Sequence, residues 1–348
     1  MALSSNEPRS TATTGNYLPV RPDWLALHRE EILEPDLPII DAHHHFYDRA
    51  GWRYLNADYV ADAASGHNVR GSVYMQALTR YRAEGPDALK PVGETEFVVA
   101  TTPPLGGDGV QVAMGIVGHA DLRLGAAVRA VLEAHVEAGR SRFRGVRHLT
   151  TWDADASLVN PLTAAPRGLL LDGKYRAGVA QLDALGLSYD AWLLSPQLPE
   201  LLDLARAFPN LPIVINHCGG IVRIGAHARR RGEGFDAWST SMHALARLPN
   251  VFVKLGGLGM RINGFEFEAQ PTPPTSIQLA RSWAPWMHTC LEAFGAERCM
   301  FESNFPVDKG SYSHAVCWNA FKRLASGATA HEKQALFEGT ARRVYRLG

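Results

Sequence analysis

The stretch IIDAHHHFYD, residues 39–48, decides how the rest of the chain is read. Two isoleucines lead into a pair of histidines two positions apart, His43 and His45. In a strand, residues i and i+2 share a face. Alternation therefore predicts Asp41, His43 and His45 on one side and Ile40, Ala42 and His44 on the other. Two imidazoles projecting together from a strand end form a chelating pair, and imidazole is the commonest metal ligand among side chains. A surface histidine cluster or a helix N-cap would write the same letters, so the surroundings must decide.

Working outward, β-rich runs recur at VRGSVYMQA (69–77), VQVAMGIVG (110–118), FRGVRHLT (143–150) and LSYDAWLL (187–194). Three more follow at LPIVINHCG (211–219), VFVKLGGL (251–258) and RCMFESN (298–304). With LPIIDAH (37–43) they make eight, and longer helical patterns separate them. In LGAAVRAVLEAHVEAG (124–139), for example, Leu124, Val128, Val131, Leu132 and Val136 recur at helical spacing. Strands alternating with helices write a parallel sheet with crossover connections. The expected fold class is α/β, a single, distorted (β/α)8 TIM barrel over residues 37–348. An N-terminal arm and lead-in helix occupy residues 1–36.

At 348 residues and 46% hydrophobic, the chain can bury one large core. Its 35 basic residues balance its 35 acidic ones, so no global field recruits nucleic acid or an anionic membrane, and a small-molecule substrate is the expected partner. Arg229, Arg230 and Arg231 serve either solvent or a homo-oligomer interface. No apolar run reaches about 18 residues, the length a membrane span requires. The first twenty residues lack the basic start and apolar stretch of a signal peptide, which makes the cytoplasm the simplest location. Cys218, Cys290, Cys299 and Cys317 show no CxxC spacing and read as buried free thiols.

Barrel strands turn one face to the helices and the other inward. That rule places Val251, Val253 and Leu255 outside with Lys254 inside. It likewise places Cys299, Phe301 and Ser303 outside with Met300, Glu302 and Asn304 inside. Lys254 and Glu302 are then expected partners, unless the lysine stem reaches water at a strand end.

Active sites of such barrels lie at the C-terminal strand ends. Those ends carry His43 and His45, then Gln76, Arg147, His148, Trp192, His217, Gly256, Gly257 and Asn304. In FRGVRHLT, Val146 marks the outward set, so Arg147 rather than Arg144 turns inward. There it grips a carboxylate or carbonyl, or else pairs with a neighbouring strand. Gln76, His148 and Trp192 are the candidate substrate-binding residues. The proline-rich GFEFEAQPTPPTS (264–276) is too long for an ordinary turn and is a candidate lid, with its aromatics as candidate pocket walls.

The DAHHHF, GVRHL, VINHCGG, KLGGLGM and ESNFPVD segments, with the terminal LFEGTARRVYRL, resemble the amidohydrolase superfamily over roughly residues 37–346. The resemblance is to its "amidohydrolase 2" branch, which holds pyrone-dicarboxylate lactonases, sugar lactonases, sulfomuconolactonases and nonoxidative decarboxylases. It implies an amidohydrolase-like barrel in which the family's HxH falls on His43 and His45 and its later histidine on His217. The branch's strand-eight aspartate falls on Asn304, and a neutral amide is a poor base. Asp308 and Glu302 are the carboxylates left to serve, with Asp308 nearer the rim.

His43, His45 and His217 suffice to hold one divalent ion, zinc first, with an open position. Some lactonases of the branch work without metal, and both states stay open for this chain. The expected activity is hydrolysis of a small cyclic ester, a lactone, with His43, His45, Arg147, His217, Asn304 and Asp308 as catalytic residues. The alternatives are a metal-dependent nonoxidative decarboxylase of an aromatic or unsaturated acid, and a noncatalytic ligand-binding barrel.

Overall fold

The computed structural model describes residues 17–49, 51–107, 109–160 and 165–348. The polar arm expected at the N-terminus lies, up to residue 16, outside the described residues. From Tyr17 the chain runs to a four-residue helix, Pro22–Leu25.

Each of the eight expected runs forms a strand. In chain order the strands are β1 (Ile39–His44), β2 (Tyr47–Arg49), β3 (Trp52–Tyr54), β4 (Val69–Met75) and β5 (Gln111–Gly118). They continue as β6 (Phe143–Val146), β7 (Ser188–Ala191), β8 (Ile213–Ile215), β9 (Val251–Leu255) and β10 (Cys299–Phe301). The β2–β3 hairpin was not expected. The other eight make one parallel sheet in the order β1-β4-β5-β6-β7-β8-β9-β10. It closes just beyond β10, where Asn304 N donates to His43 O at 2.9 Å and His45 N to Phe305 O at 2.8 Å. These two bonds bring the HxH strand against the ESNFP segment.

Outside the sheet, Val251, Val253, Leu255, Cys299 and Phe301 pack against helices, as alternation requires. Inside, Ile40, Val73, Val214 and Met300 form a second apolar cluster. Val344 and Tyr345 of the C-terminal helix Thr340–Tyr345 join that cluster and stopper the barrel floor. All four cysteines are buried and free. No helix among the described residues is long and apolar enough to cross a membrane.

Two expectations about facing are corrected. Along β1 the pairing with β4 slips between Asp41 and His44, a bulge that breaks strict alternation. Ile40 and Ala42 therefore face the interior while Asp41 points out, accepting from Ser303 Oγ at 2.6 Å and Tyr59 Oη at 3.0 Å. His44 also faces out, its ring stacked on Tyr59 at 4.0 Å. Past the bulge His43 and His45 both turn inward, as expected, but without Asp41.

The second correction concerns Lys254. It is wholly buried, and its ammonium lies 3.0 Å from Asp190 Oδ1 rather than against Glu302. Tyr345 Oη donates to the same Asp190 oxygen at 2.7 Å, and Asn216 Nδ2 does so at 3.1 Å. Breaking a buried pair by deleting one member leaves an uncompensated charge. Asp190→Ala is expected to lower unfolding stability by about 3–5 kcal/mol in urea titrations, while the paired replacement Asp190→Leu/Lys254→Met recovers part of that loss.

Candidate active site

Three elements supply the centre of the rim: the end of β1, the turn after β8, and the segment after β10. Glu302, wholly buried, binds them together. Its Oε1 accepts from His217 N at 3.0 Å and lies 2.7 Å from His217 Nδ1, and its Oε2 lies 2.8 Å from His43 Nδ1. As a carboxylate, Glu302 fixes the His217 ring in the Nδ1–H tautomer and leaves its Nε2 with the lone pair, and its second oxygen beside His43 Nδ1 favours the same tautomer there. Burial outweighs the pull of the Lys254 ammonium and the His217 amide and leaves the Glu302 carboxyl raised to about 8.

His45 is set differently. Its Nδ1 lies 2.9 Å from Met75 O, a group that can only accept, so its Nε2 is also a lone pair. That Nε2 lies 3.0 Å from His43 Nε2 and 3.3 Å from Asn304 Oδ1. Asn304 cannot turn its amide around, because its Nδ2 donates to Asp308 Oδ1 at 2.9 Å. His45 Nε2 and Asn304 Oδ1 are both acceptors, and with His43 in the Nδ1–H tautomer its Nε2 makes a third. Among the described residues, the donor that reaches the group is Arg147 Nη1, 3.2 Å from His43 Nε2. Buried acceptors crowded together call for a positive charge, and this donor set of two imidazoles and an amide oxygen fits a divalent cation. His43, His217 and Glu302 also offer ligand atoms that all lie within 4.8 Å of one another.

All three imidazoles are held well below the ordinary histidine range, first by burial and then by neighbouring cations. For His43 the leading cation is Lys254, and for His45 and His217 it is Arg147. They are therefore in the neutral form that ligands and bases need.

Local backbone explains how these groups fit. His217 and Asn304 adopt left-handed conformations, with φ of 53° and 55°, which non-glycine residues occupy at a cost of about 1–3 kcal/mol each. Gly257, at φ +67°, sits where any Cβ would overlap the His217 ring, and a Cβ on Gly256 would overlap Glu302. The KLGGLGM glycines make room for the site.

Above this centre lies a cavity whose wall includes His45, Arg147, Trp192, His217 and Asn304. Trp192 meets the His217 ring edge-on at 4.8 Å. Tyr17, Tyr47 of the hairpin, and Leu158 and Asn160 of the segment after β6 complete the mouth. His43, His45, Arg147, Trp192, His217 and Asn304 thus come together as the sequence predicted.

Other expected members do not reach the wall. Asp308 is buried behind Asn304, its carboxylate taken up by Asn304 Nδ2, Gly259 N at 2.9 Å and Tyr312 Oη at 2.5 Å. Burial pushes Asp308 up to about 7 against those hydrogen bonds. Gln76 lies outside the cavity wall, and its contribution is the backbone carbonyl that receives Arg147 Nη2 at 2.7 Å. His148 points away from the rim, accepting from Leu122 N and packing on Tyr175. The candidate lid folds down elsewhere: Phe267 is buried in the helix-side core, while Glu268 O and Gln270 O receive Arg21 and Trp24.

Glu302 is the central residue that sequence reading misassigned to Lys254. Its signal was present in alternation, which turned it inward one step below Asn304. Glu302→Gln is expected to lower zinc affinity by about 10–100-fold with the fold retained, read by competition against a chromophoric chelator. An unchanged affinity would remove Glu302 from this orienting role.

Comparison with known proteins adds four findings. A family model described as amidohydrolase matches residues 40–347. The uncharacterized protein y4mH of Sinorhizobium fredii is 32% identical over 338 residues, covering 90% of this chain and 99% of its own. An L-fucono-1,5-lactonase of Burkholderia multivorans is 28% identical over 327 residues, 88% of this chain and 96% of that enzyme. Among solved structures, an amidohydrolase from Burkholderia multivorans with bound zinc aligns at a TM-score of 0.67 and 25% identity, covering 89% of this chain and 99% of that one.

Proposed function

This chain belongs to the amidohydrolase family, and we propose that within it the chain opens a small cyclic ester by adding water at the rim of the barrel. The observation that carries this reading is His217, its Nδ1 held from behind by Glu302, beside Arg147 in one cavity wall. Relatives named L-fucono-1,5-lactonase support the ester chemistry.

With Nδ1–H engaged by Glu302, Nε2 is the lone pair that His217 offers to the cavity it lines. In this reading His217 takes the proton of the attacking water and returns it to the ring oxygen as the carbon–oxygen bond breaks. Arg147 keeps donors free to bind the carbonyl oxygen, whose negative charge grows as the tetrahedral intermediate forms. Donors placed at that position are worth about 3–4 kcal/mol each in other enzymes. Asp308, expected from sequence as the base, instead holds the Asn304 amide so that Oδ1 faces the imidazoles.

His43, His45 and Asn304 are the residues we assign to hold a divalent ion. When bound, such an ion polarises a carbonyl and acidifies water. The zinc in the Burkholderia multivorans neighbour supports a divalent ion as part of this reading.

His217→Ala and Arg147→Ala are each expected to lower turnover of the best lactone more than a hundredfold, with circular dichroism unchanged. A pH-stat screen of sugar, aromatic and aliphatic lactones supplies the measurement. Near-normal turnover by both variants would dismiss the assignment. Release of CO2 without acid production from lactones would move the reading to the decarboxylase, whose carboxylate would meet the same Arg147.

A further inference from the structure

Two cavities meet at one side chain. The catalytic cavity, lined by His45, Arg147 and His217, has a volume of about 50 Å³. A water molecule takes up about 30 Å³ of liquid and ligand pockets run to about 300–1,000 Å³, so this cavity holds a water or two and no lactone ring. A second cavity of about 390 Å³ lies beside it, with Leu18, Val20, Trp52, Tyr54 and Pro306 in its wall. Among the described residues, Tyr17 alone lines both.

The partition is made of aromatic rings. Tyr47 and Trp52, from the two strands of the hairpin, stack at 4.0 Å, one lining each cavity. Tyr17 meets Trp52 edge-on at 4.7 Å, and the Tyr47 hydroxyl is hydrogen-bonded to it. Behind the ring the chain is pinned. Leu18 packs on Gly310, where any Cβ would overlap it, and Arg21 and Trp24 donate to Glu268 O and Gln270 O. Tyr17 itself is only half-buried, and residues 17–20 make no backbone hydrogen bond among the described residues. A side chain held this lightly can turn about its own torsions while the pinned chain stays in place. The outer cavity beyond it is largely apolar, because its Lys309 is engaged by Asp62 and its Asp58 accepts from Leu55 N, while Arg53 is exposed to solvent.

Resting on the lactonase reading, we infer that Tyr17 is a specificity-determining gate whose ring turns aside to join the two cavities, and that the substrate is a lactone carrying an apolar substituent of several carbons. The lactone carbonyl meets Arg147 and His217, and the substituent lies in the outer cavity against Trp52 and Val20. Joined, the two spaces reach the size of an ordinary ligand pocket. A gate that must open lowers apparent affinity by the fraction of molecules that are open, so deleting the ring tightens binding. Deleting a fixed wall would weaken it, because contacts with the ligand are lost.

The test uses the full chain with zinc supplied, and a non-hydrolysable ketone, 2-pentylcyclohexanone, beside δ-valerolactone and its pentyl-substituted form δ-decalactone. By calorimetry, Tyr17→Ala is expected to bind the ketone at least about threefold more tightly than wild type, and Tyr17→Phe, which keeps the ring, to stay within about twofold. Fluorine NMR of a fluorotyrosine placed at position 17 alone is expected to show its resonance move when the ketone is added. In turnover, δ-decalactone is expected to exceed δ-valerolactone in kcat/KM by at least about tenfold, since each methylene it buries adds affinity. Val20→Trp, which fills the outer cavity, is expected to reduce that advantage to about twofold or less. Weaker or unchanged ketone binding by Tyr17→Ala, or an unmoved resonance, overturns the gate, and lactone opening in the same samples would leave the lactonase reading standing. An advantage that is absent, or that survives Val20→Trp, overturns the outer cavity as the substituent's place. If neither lactone is opened yet Tyr17→Ala tightens ketone binding and the resonance moves, the gate stands and the lactonase reading falls.

Discussion

One buried carboxylate organises this barrel's rim. Glu302 touches His43 on the first barrel strand and His217 after the sixth, and it sits just past the eighth. Those segments are far apart in sequence and meet only because the sheet closes. Remove the closure bonds between residues 43–45 and 304–305 and the carboxylate loses one of its imidazoles. Every later feature follows from that contact: which ring nitrogen carries hydrogen, which lone pairs face inward, and where positive charge is wanted.

The interior carries two cations, Arg147 and Lys254, and two carboxylates, Asp190 and Glu302. Burying each ion costs several kcal/mol even after relaxation, and a barrel filled with aliphatic side chains would be at least as stable. Stability therefore does not account for them. The pairs divide the work by depth. Asp190–Lys254 sits over the C-terminal stopper through Tyr345, and Glu302 sits above it among the imidazoles. Within the lower pair, Lys254 pulls the Glu302 carboxyl toward its ionised form and Asp190 works against it, both without touching the cavity.

The fold was legible because alternation and helical spacing are local properties. Eight runs could be picked out one at a time, and eight strands formed. Facing was legible wherever a strand was regular, as in β9 and β10. It failed at Asp41 because a bulge adds a residue on one strand only, and no local pattern announces it. Pairing across the interior was less accessible still. Inward residues meet according to strand tilt and stagger, which depend on the whole barrel, so Lys254 found Asp190 instead of Glu302. His148 illustrates the same limit: adjacency to Arg147 suggested the rim, yet the next residue along faces the opposite side. The glycines at 256 and 257 were visible at the right rim, but the ring and carboxylate they clear space for were not.

The amide at Asn304 bears on how strongly the site holds a cation. In the branch this chain resembles, a carboxylate at that position brings negative charge to the ion directly. Here the oxygen is retained and the charge is moved back one hydrogen bond, onto Asp308 behind the amide. Donor geometry survives such a change better than Coulomb attraction, which falls with distance and is offset further by Arg147 beside His43. Such a site offers an ion shape and lone pairs more than charge. The amide at Asn304 and the guanidinium beside His43 are therefore one electrostatic arrangement, which places less negative charge at the imidazoles than a carboxylate there would.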